Sequence, residues 1–142
     1  MKRHIASSIM NPFRHHLVRG SILLLSLAAS SAISAEEREI SVTNPNDGVK
    51  LAATLSNPSG KPKAAILLAT GSGPQNRDEE IMGLRPFKVL SDSLTAAGYA
   101  VLRMDDRGTG SSGGDFQTAT AADFLSDLKS GIASVSYTHL TL

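Results

Sequence analysis

The sequence predicts an α/β domain in which a β-hairpin precedes a parallel strand–helix–strand–helix run. Three observations carry this reading. Residues 64–69 and 99–104 are dominated by apolar side chains, as in strands covered on both faces, and each stretch runs into a glycine-bearing turn. Between and after them, two segments repeat apolar residues at spacings of three and four, the period of a helix with one buried side. Ahead of both, residues 39–55 alternate polar and apolar side chains around a turn-forming stretch.

The elements follow in chain order. Glu39-Ile40-Ser41-Val42 alternates, Asn44-Pro45-Asn46-Asp47-Gly48 turns the chain, and Val49, Leu51, Ala53 and Leu55 then share one face. This predicts a hairpin with one buried face. A polar loop over residues 57–63 leads to the first interior strand of a mostly parallel sheet, residues 64–69. The next helix starts near Pro86, where a missing N–H costs nothing at the first helical position. Phe87, Leu90, Leu94 and Ala97 form its predicted buried stripe, and Gly98 supplies the left-handed residue that ends it. Residues 99–104 make a second interior strand, so the strand–helix–strand unit implies a right-handed parallel crossover. Thr120 with Asp123 is an acidic form of the capping box, and Ala121, Phe124, Leu125, Leu128 and Ile132 predict the stripe of a second helix.

The two ends read differently from this middle. In residues 1–35, the basic Lys2, Arg3, Arg14 and Arg19 precede the apolar residues 22–29, and small residues follow up to Ala35. That order describes a secretory signal peptide, with cleavage after Ala35 or after Ala32 and with Met10 as an alternative start. The apolar stretch is short of the roughly 20 residues that span a membrane. The expected location is the periplasm or the cell exterior, with no membrane attachment after cleavage. All 13 carboxylates follow this segment, so the exported part is acidic and shows no basic stripe for a nucleic acid backbone. The sequence holds no cysteine, which excludes a disulfide framework. Residues 135–142, Val-Ser-Tyr-Thr-His-Leu-Thr-Leu, break from the preceding pattern and read as the translation of a sequencing adapter, so the domain proper is expected over residues 36–134.

The chemistry lies in the two turns, because loops leaving the carboxyl ends of buried strands are where α/β proteins place their sites. The first is Thr70-Gly71-Ser72-Gly73-Pro74; the second is Asp105-Asp106-Arg107-Gly108-Thr109-Gly110-Ser111-Ser112-Gly113. Two literal motif matches fail on context. Gly110, Ser112 and Gly114 fit G-x-S-x-G, but a nucleophile elbow needs a strand directly before its serine and a helix directly after it. Gly108, Gly110 and Gly113 fit G-x-G-x-x-G, but Gly114-Asp115 prolongs the turn where a dinucleotide site needs a helix N-terminus. Two aspartates without a nearby histidine or third acid do not make a metal site.

A hairpin, a strand ending in x-G-x-G, a helix, and a strand ending in D-x-R-G-x-G-x-S (Asp105, Arg107, Gly108, Gly110, Ser112) together resemble the N-terminal part of an α/β-hydrolase. The stretch from Thr70 to Glu79 further resembles secreted bacterial members of the dienelactone-hydrolase and serine-aminopeptidase branches. The similarity runs from Glu36 to Ser134. It implies that the first turn lends a backbone N–H to an oxyanion hole, here that of Ser72, with Gly71 and Gly73 shaping the loop. Thr70 stands where the family commonly has histidine. It also implies that Asp105, Asp106 and Arg107 pin the second loop, Gly108 and Gly110 let it turn, and no cofactor is needed. The catalytic serine, acid and histidine would lie beyond the second helix; between Glu36 and Ser134 the sequence has no histidine at all.

The expectation is therefore the N-terminal portion of an exported serine hydrolase truncated before its nucleophile strand, inactive by itself, from a parent acting on a small-molecule carboxylic ester, thioester or amide. Two alternatives stay open at this level. One is a nucleotide- or phosphate-binding α/β domain using residues 108–113; the other is a non-enzymatic exported module whose exposed sheet edge takes a partner strand.

Overall fold

The computed structural model describes residues 35–139. The signal-peptide reading falls outside them except for Ala35, and the adapter reading falls partly outside. The element order is β1 (Glu36–Thr43), β2 (Lys50–Asn57), β3 (Ala65–Leu68), α1 (Pro86–Ala96), β4 (Ala100–Met104) and α2 (Ala121–His139).

One four-stranded sheet, in the order β1-β2-β4-β3, organises the described residues. The hairpin pairs β1 with β2 in register from Glu36 opposite Asn57 to Thr43 opposite Lys50. Its turn is held locally: the Asn44 side-chain oxygen accepts the Asn46 N–H at 2.9 Å, and Gly48, at φ +77°, donates to the Asn44 carbonyl at 2.9 Å. β4 pairs antiparallel with β2 and parallel with β3. The expected parallel crossover is present, but the sheet is mixed rather than mostly parallel. A tight hairpin can only join antiparallel strands, and β2 hands that direction on to β4.

β4 is buried along its whole length, as predicted for an interior strand. β3 is not: it lies at the edge of the described sheet with Ala65 exposed and Ile66 to Leu68 half-buried. β2 departs from the one-sided prediction as well. Leu51, Ala53 and Leu55 line one face, and Thr54 and Ser56, on the opposite face, are buried too. The first face forms the core, where these residues meet Val42, Ala100, Leu102, Met104 and Val135 of α2. Burying a side chain such as Leu51, Leu55 or Leu102 contributes about 1.5–3 kcal/mol each.

The helices cover opposite faces, and both are rotated relative to their predicted stripes. On α1, Phe87 and Leu94 are half-buried as expected, but Leu90 and Ala97 are exposed, and Ser91 and Thr95 are the buried residues. The reason is the chemistry of the face it covers. Ser91 Oγ donates to Ser56 Oγ at 3.2 Å, and the sheet beneath carries Glu37, Glu39, Thr54 and the buried Arg103. Small hydroxyl side chains fit that layer better than leucine. On α2, Phe124 and Leu128 are half-buried as expected, but Leu125 and Ile132 are exposed and Ala121 is too. Asp127, Gly131 and Val135 face inward instead. A Cβ on Gly131 would come within 2.7 Å of Met104 Sδ, so the glycine lets the helix lie close on β4. The predicted helix ends hold: Pro86 opens α1, Gly98 follows it at φ +94°, and Asp123 accepts the Thr120 N–H at 2.8 Å while donating its own N–H to Thr120 Oγ1. α2 runs on through His139, and Val135, four residues after Gly131 on the same face, packs into the core.

Candidate functional site

The two glycine-bearing turns leave the C-terminal ends of neighbouring parallel strands, β3 and β4, and the structure joins them. Thr70 Oγ1 donates to Asp106 Oδ1 at 2.6 Å, and the Gln75 N–H donates to Asp106 Oδ2 at 3.0 Å. The Asp106 N–H in turn donates to the Gln75 carbonyl at 3.1 Å. Between these fixed ends, residues 71–74 arch outward. Ser72 is exposed, and among the described residues its N–H meets no protein acceptor. Gly73 sits at φ +86°, a conformation that favours glycine. Gly71 is different: its φ is ordinary and a Cβ there would meet its nearest neighbour at 3.7 Å, so the expected steric role rests on Gly73 alone.

Asp105, the residue before, is buried and faces the other side of β4. Its Oδ1 accepts the Arg77 N–H at 2.8 Å and Nε at 2.9 Å; its Oδ2 accepts Arg77 Nη2 and the Ser111 N–H, both at 2.9 Å. Burial pushes this carboxyl up, but the Arg77 guanidinium and the Ser111 amide together outweigh it and hold the group below its ordinary range. The same pairing with Asp105 raises Arg77, whose Nη1 also reaches Thr54 Oγ1 at 2.8 Å and Glu39. Gly110 is required here: at φ +55°, its Cβ would stand 2.4 Å from Asp105 Oδ2. A Cβ on Gly108, at φ +69°, would strike the Phe116 backbone nitrogen at 2.5 Å.

Arg107 crosses to α2. Its Nε and Nη2 fork onto Asp127 at 2.7 and 2.8 Å, and Nη1 reaches Asp47 Oδ2 at 2.9 Å. The Asp127 carboxylate raises the guanidinium well above its usual range, against the effect of burial. Asn44 Nδ2 donates to the same Asp127 at 2.6 Å, so hairpin turn, second loop and helix share one buried ion pair. Ser112 is a stitch rather than a nucleophile: its Oγ donates to the Asp105 carbonyl and accepts the Ala52 N–H, each at 2.9 Å.

Of the three residues expected to pin the second loop, Asp105 and Arg107 contact it or its neighbours, whereas the Asp106 carboxylate bonds Thr70 and Gln75 of the first loop. The nucleotide alternative finds one donor in residues 108–113, the Gly110 N–H, which meets no protein acceptor among the described residues. The amides of Gly108, Thr109, Ser111, Ser112 and Gly113 all donate within the protein, and α2 begins only at Ala121. Both aspartates already accept from protein donors, and among the described residues no group of His, Cys, Asp and Glu is gathered as a metal site.

A cavity of about 140 Å³ opens where the turns meet, lined by Gly71, Gly73, Asp106, Phe116, Phe124 and Leu128 among others. Phe116 and Phe124 stack there at 5.2 Å between ring centroids. Its walls are mostly apolar; the polar part comes from Thr70 and Asp106, bonded to one another, and from the paired Asp105, Arg107 and Asp127.

Arg77 and Asp127 received no role from the sequence. Each had a signal. Arg77 is the base that opens an acidic run, Asp78-Glu79-Glu80, and Asp127 interrupts the apolar side of α2 between Phe124, Leu128 and Gly131. A carboxylate on a helix's inner face implies a buried partner.

Comparison with known proteins gives the same fold. The family described as X-Pro dipeptidyl-peptidase (S15 family) matches residues 47–135. The esterase Pf2001 of Pyrococcus furiosus superposes with a TM-score of 0.55 and 27% identity, over 72% of this chain and 35% of that one. The α/β hydrolase GrgF from Penicillium sp. sh18 superposes with a TM-score of 0.55 and 19% identity, over 70% of this chain and 32% of that one. The chain thus spans about a third of the length of these structures. No curated protein matches it. These similarities establish the α/β-hydrolase fold, of which the described residues form the hairpin, the crossover and the second helix.

Proposed function

Because the chain belongs to the X-Pro dipeptidyl-peptidase (S15) family, we propose that it forms the oxyanion-binding part of an exported serine hydrolase that cleaves small acyl substrates, carboxylic esters first and thioesters and amides beside them. The observation that carries this reading is the arch over residues 71–74: a turn at the mouth of a parallel strand pair, fixed at both ends, with the Ser72 N–H unused by the protein. Such an amide suits the negative oxygen that develops when a serine attacks an acyl carbon, and one donor of this kind is worth about 3–4 kcal/mol in the transition state. The apolar cavity beside it, with Phe116 and Phe124 in its wall, suits the carbon side of an acyl group.

The serine, its histidine base and the acid that orients it belong to the whole protein, so the 142-residue chain is inactive by itself. The product of the complete reading frame should hydrolyse p-nitrophenyl acyl esters and be labelled on serine by a fluorophosphonate, whereas the chain alone should do neither. A complete protein that turns over no ester, thioester or amide ends this reading. Export rests on residues 1–35 and is checked by N-terminal sequencing of protein recovered from the periplasm or medium, with Glu36 the expected first residue. No helix among the described residues is long and apolar enough to cross a membrane.

A further inference from the structure

We propose that Asp106 is the positioning residue of the oxyanion loop, a clamp that closes residues 70–75 into a fixed arch and thereby aims the Ser72 amide; this rests on the oxyanion reading above. Asp106 occupies the variable x of D-x-R-G, where the motif itself asks for nothing. Here its two carboxylate oxygens take separate partners five residues apart in the loop, the Thr70 hydroxyl at 2.6 Å and the Gln75 N–H at 3.0 Å. Its own backbone N–H returns to the Gln75 carbonyl at 3.1 Å, so that end of the loop is held by two bonds in opposite directions. The Asp106 carbonyl accepts the Thr109 N–H at 3.0 Å, which ties the clamp to the second turn.

Without this carboxylate the Thr70 hydroxyl and the Gln75 N–H have no hydrogen-bond partner among the described residues, and only the Asp106 N–H bond to the Gln75 carbonyl still ties the loop to this residue. The neighbouring Asp105 fixes Arg77, just past the arch, from the opposite face of β4. Consecutive residues of a strand point to opposite sides, so one Asp-Asp pair can staple the loop from both. Thr70 belongs to the same device. Its short hydroxyl reaches Asp106 directly at a position where the related hydrolases commonly carry histidine.

The test uses the complete protein and compares Asp106→Ala, Asp106→Asn and Thr70→Val with the wild type, with the exposed Asp92→Ala as control. A misaimed donor weakens only the transition state, so Asp106→Ala should lower kcat about 100-fold with KM little changed. Affinity for an alkylboronic acid, a tetrahedral mimic, should fall in parallel with kcat. Asp106→Asn keeps both bonds when its oxygen accepts the Gln75 N–H and its NH2 donates to the Thr70 hydroxyl, so it should retain most of the wild-type activity. Thr70→Val should lower kcat less than Asp106→Ala, and the double variant should be no worse than Asp106→Ala alone. An active wild type whose kcat and boronate affinity survive Asp106→Ala overturns the clamp and leaves the hydrolase reading standing. Should the alanine variant not fold, a folded Thr70→Val with wild-type kcat and boronate affinity overturns it equally. A wild type inactive on every acyl substrate removes the hydrolase reading and the clamp's role together.

Discussion

Asp105 shows how a single buried charge ties folding to pH. Burial alone would raise its carboxyl, but Arg77 and the Ser111 amide hold it below the ordinary range. A carboxyl with a lowered folded-state pKa stabilises the protein fully above its unfolded value, about 3.9, and the contribution disappears as pH falls through the lower folded value. The urea midpoint should therefore drop on acidification below about pH 4. Asp105→Asn should be less stable at neutral pH and show a flatter acid limb, since the neutral amide has no proton to take up. An unchanged pH dependence in that variant would contradict the assignment. How the residues of the site were legible differs by type. Glycines 108 and 110 announced the turn, because their φ angles and crowding leave no room for a side chain. The partners of the charges did not: nothing local in sequence joins Asp105 to Arg77, or Arg107 to Asp127 on a different element.

At the scale of elements, both helices formed where their periodicity and end signals placed them, and both turned a different side to the sheet than their apolar residues indicated. The apolar count assumes an apolar floor. α1 instead rests on hydroxyls and ion pairs, and α2 is set by the Arg107–Asp127 fork and by Gly131 against Met104. This yields opposite expectations for two neighbouring apolar residues of α2. Ile132→Lys, at an exposed site, should change stability by less than about 0.5 kcal/mol. Leu128→Ala, half-buried against the core, should lose about 2 kcal/mol. Chemical denaturation of the complete protein reads both, and a costly Ile132→Lys would mean that the helix presents its predicted stripe after all.

For the whole molecule, the described sheet presents β3 with one unpaired edge and half-covered faces. In the loop before α1 and on α1 itself, Ile81, Met82, Leu84 and Val89 are exposed as well, Met82 at 97% on a turn with φ +52°. An open strand edge and exposed apolar side chains template association. The 142-residue chain by itself should elute as oligomers or aggregates in size-exclusion chromatography with light scattering. A monodisperse monomer with a sharp thermal transition would refute this.

The sequence by itself determined the class of the fold, the order of its elements, the hairpin, the starts of both helices and the two glycine-bearing turns. These follow from local physics: side-chain periodicity, the φ angles that only glycine adopts freely, the ring of proline and the short reach of a cap; the far end of α2, which runs to His139, was not among them. Only the tertiary structure decided which helix faces are buried, that β3 lies at the sheet's edge among the described residues, and that Asp106 closes the first turn while Asp105 and Arg107 anchor the second. Those outcomes depend on pairs far apart in the chain, Thr70 with Asp106 or Asn44 with Asp127, whose energies arise only when the sheet brings them into one low-dielectric layer.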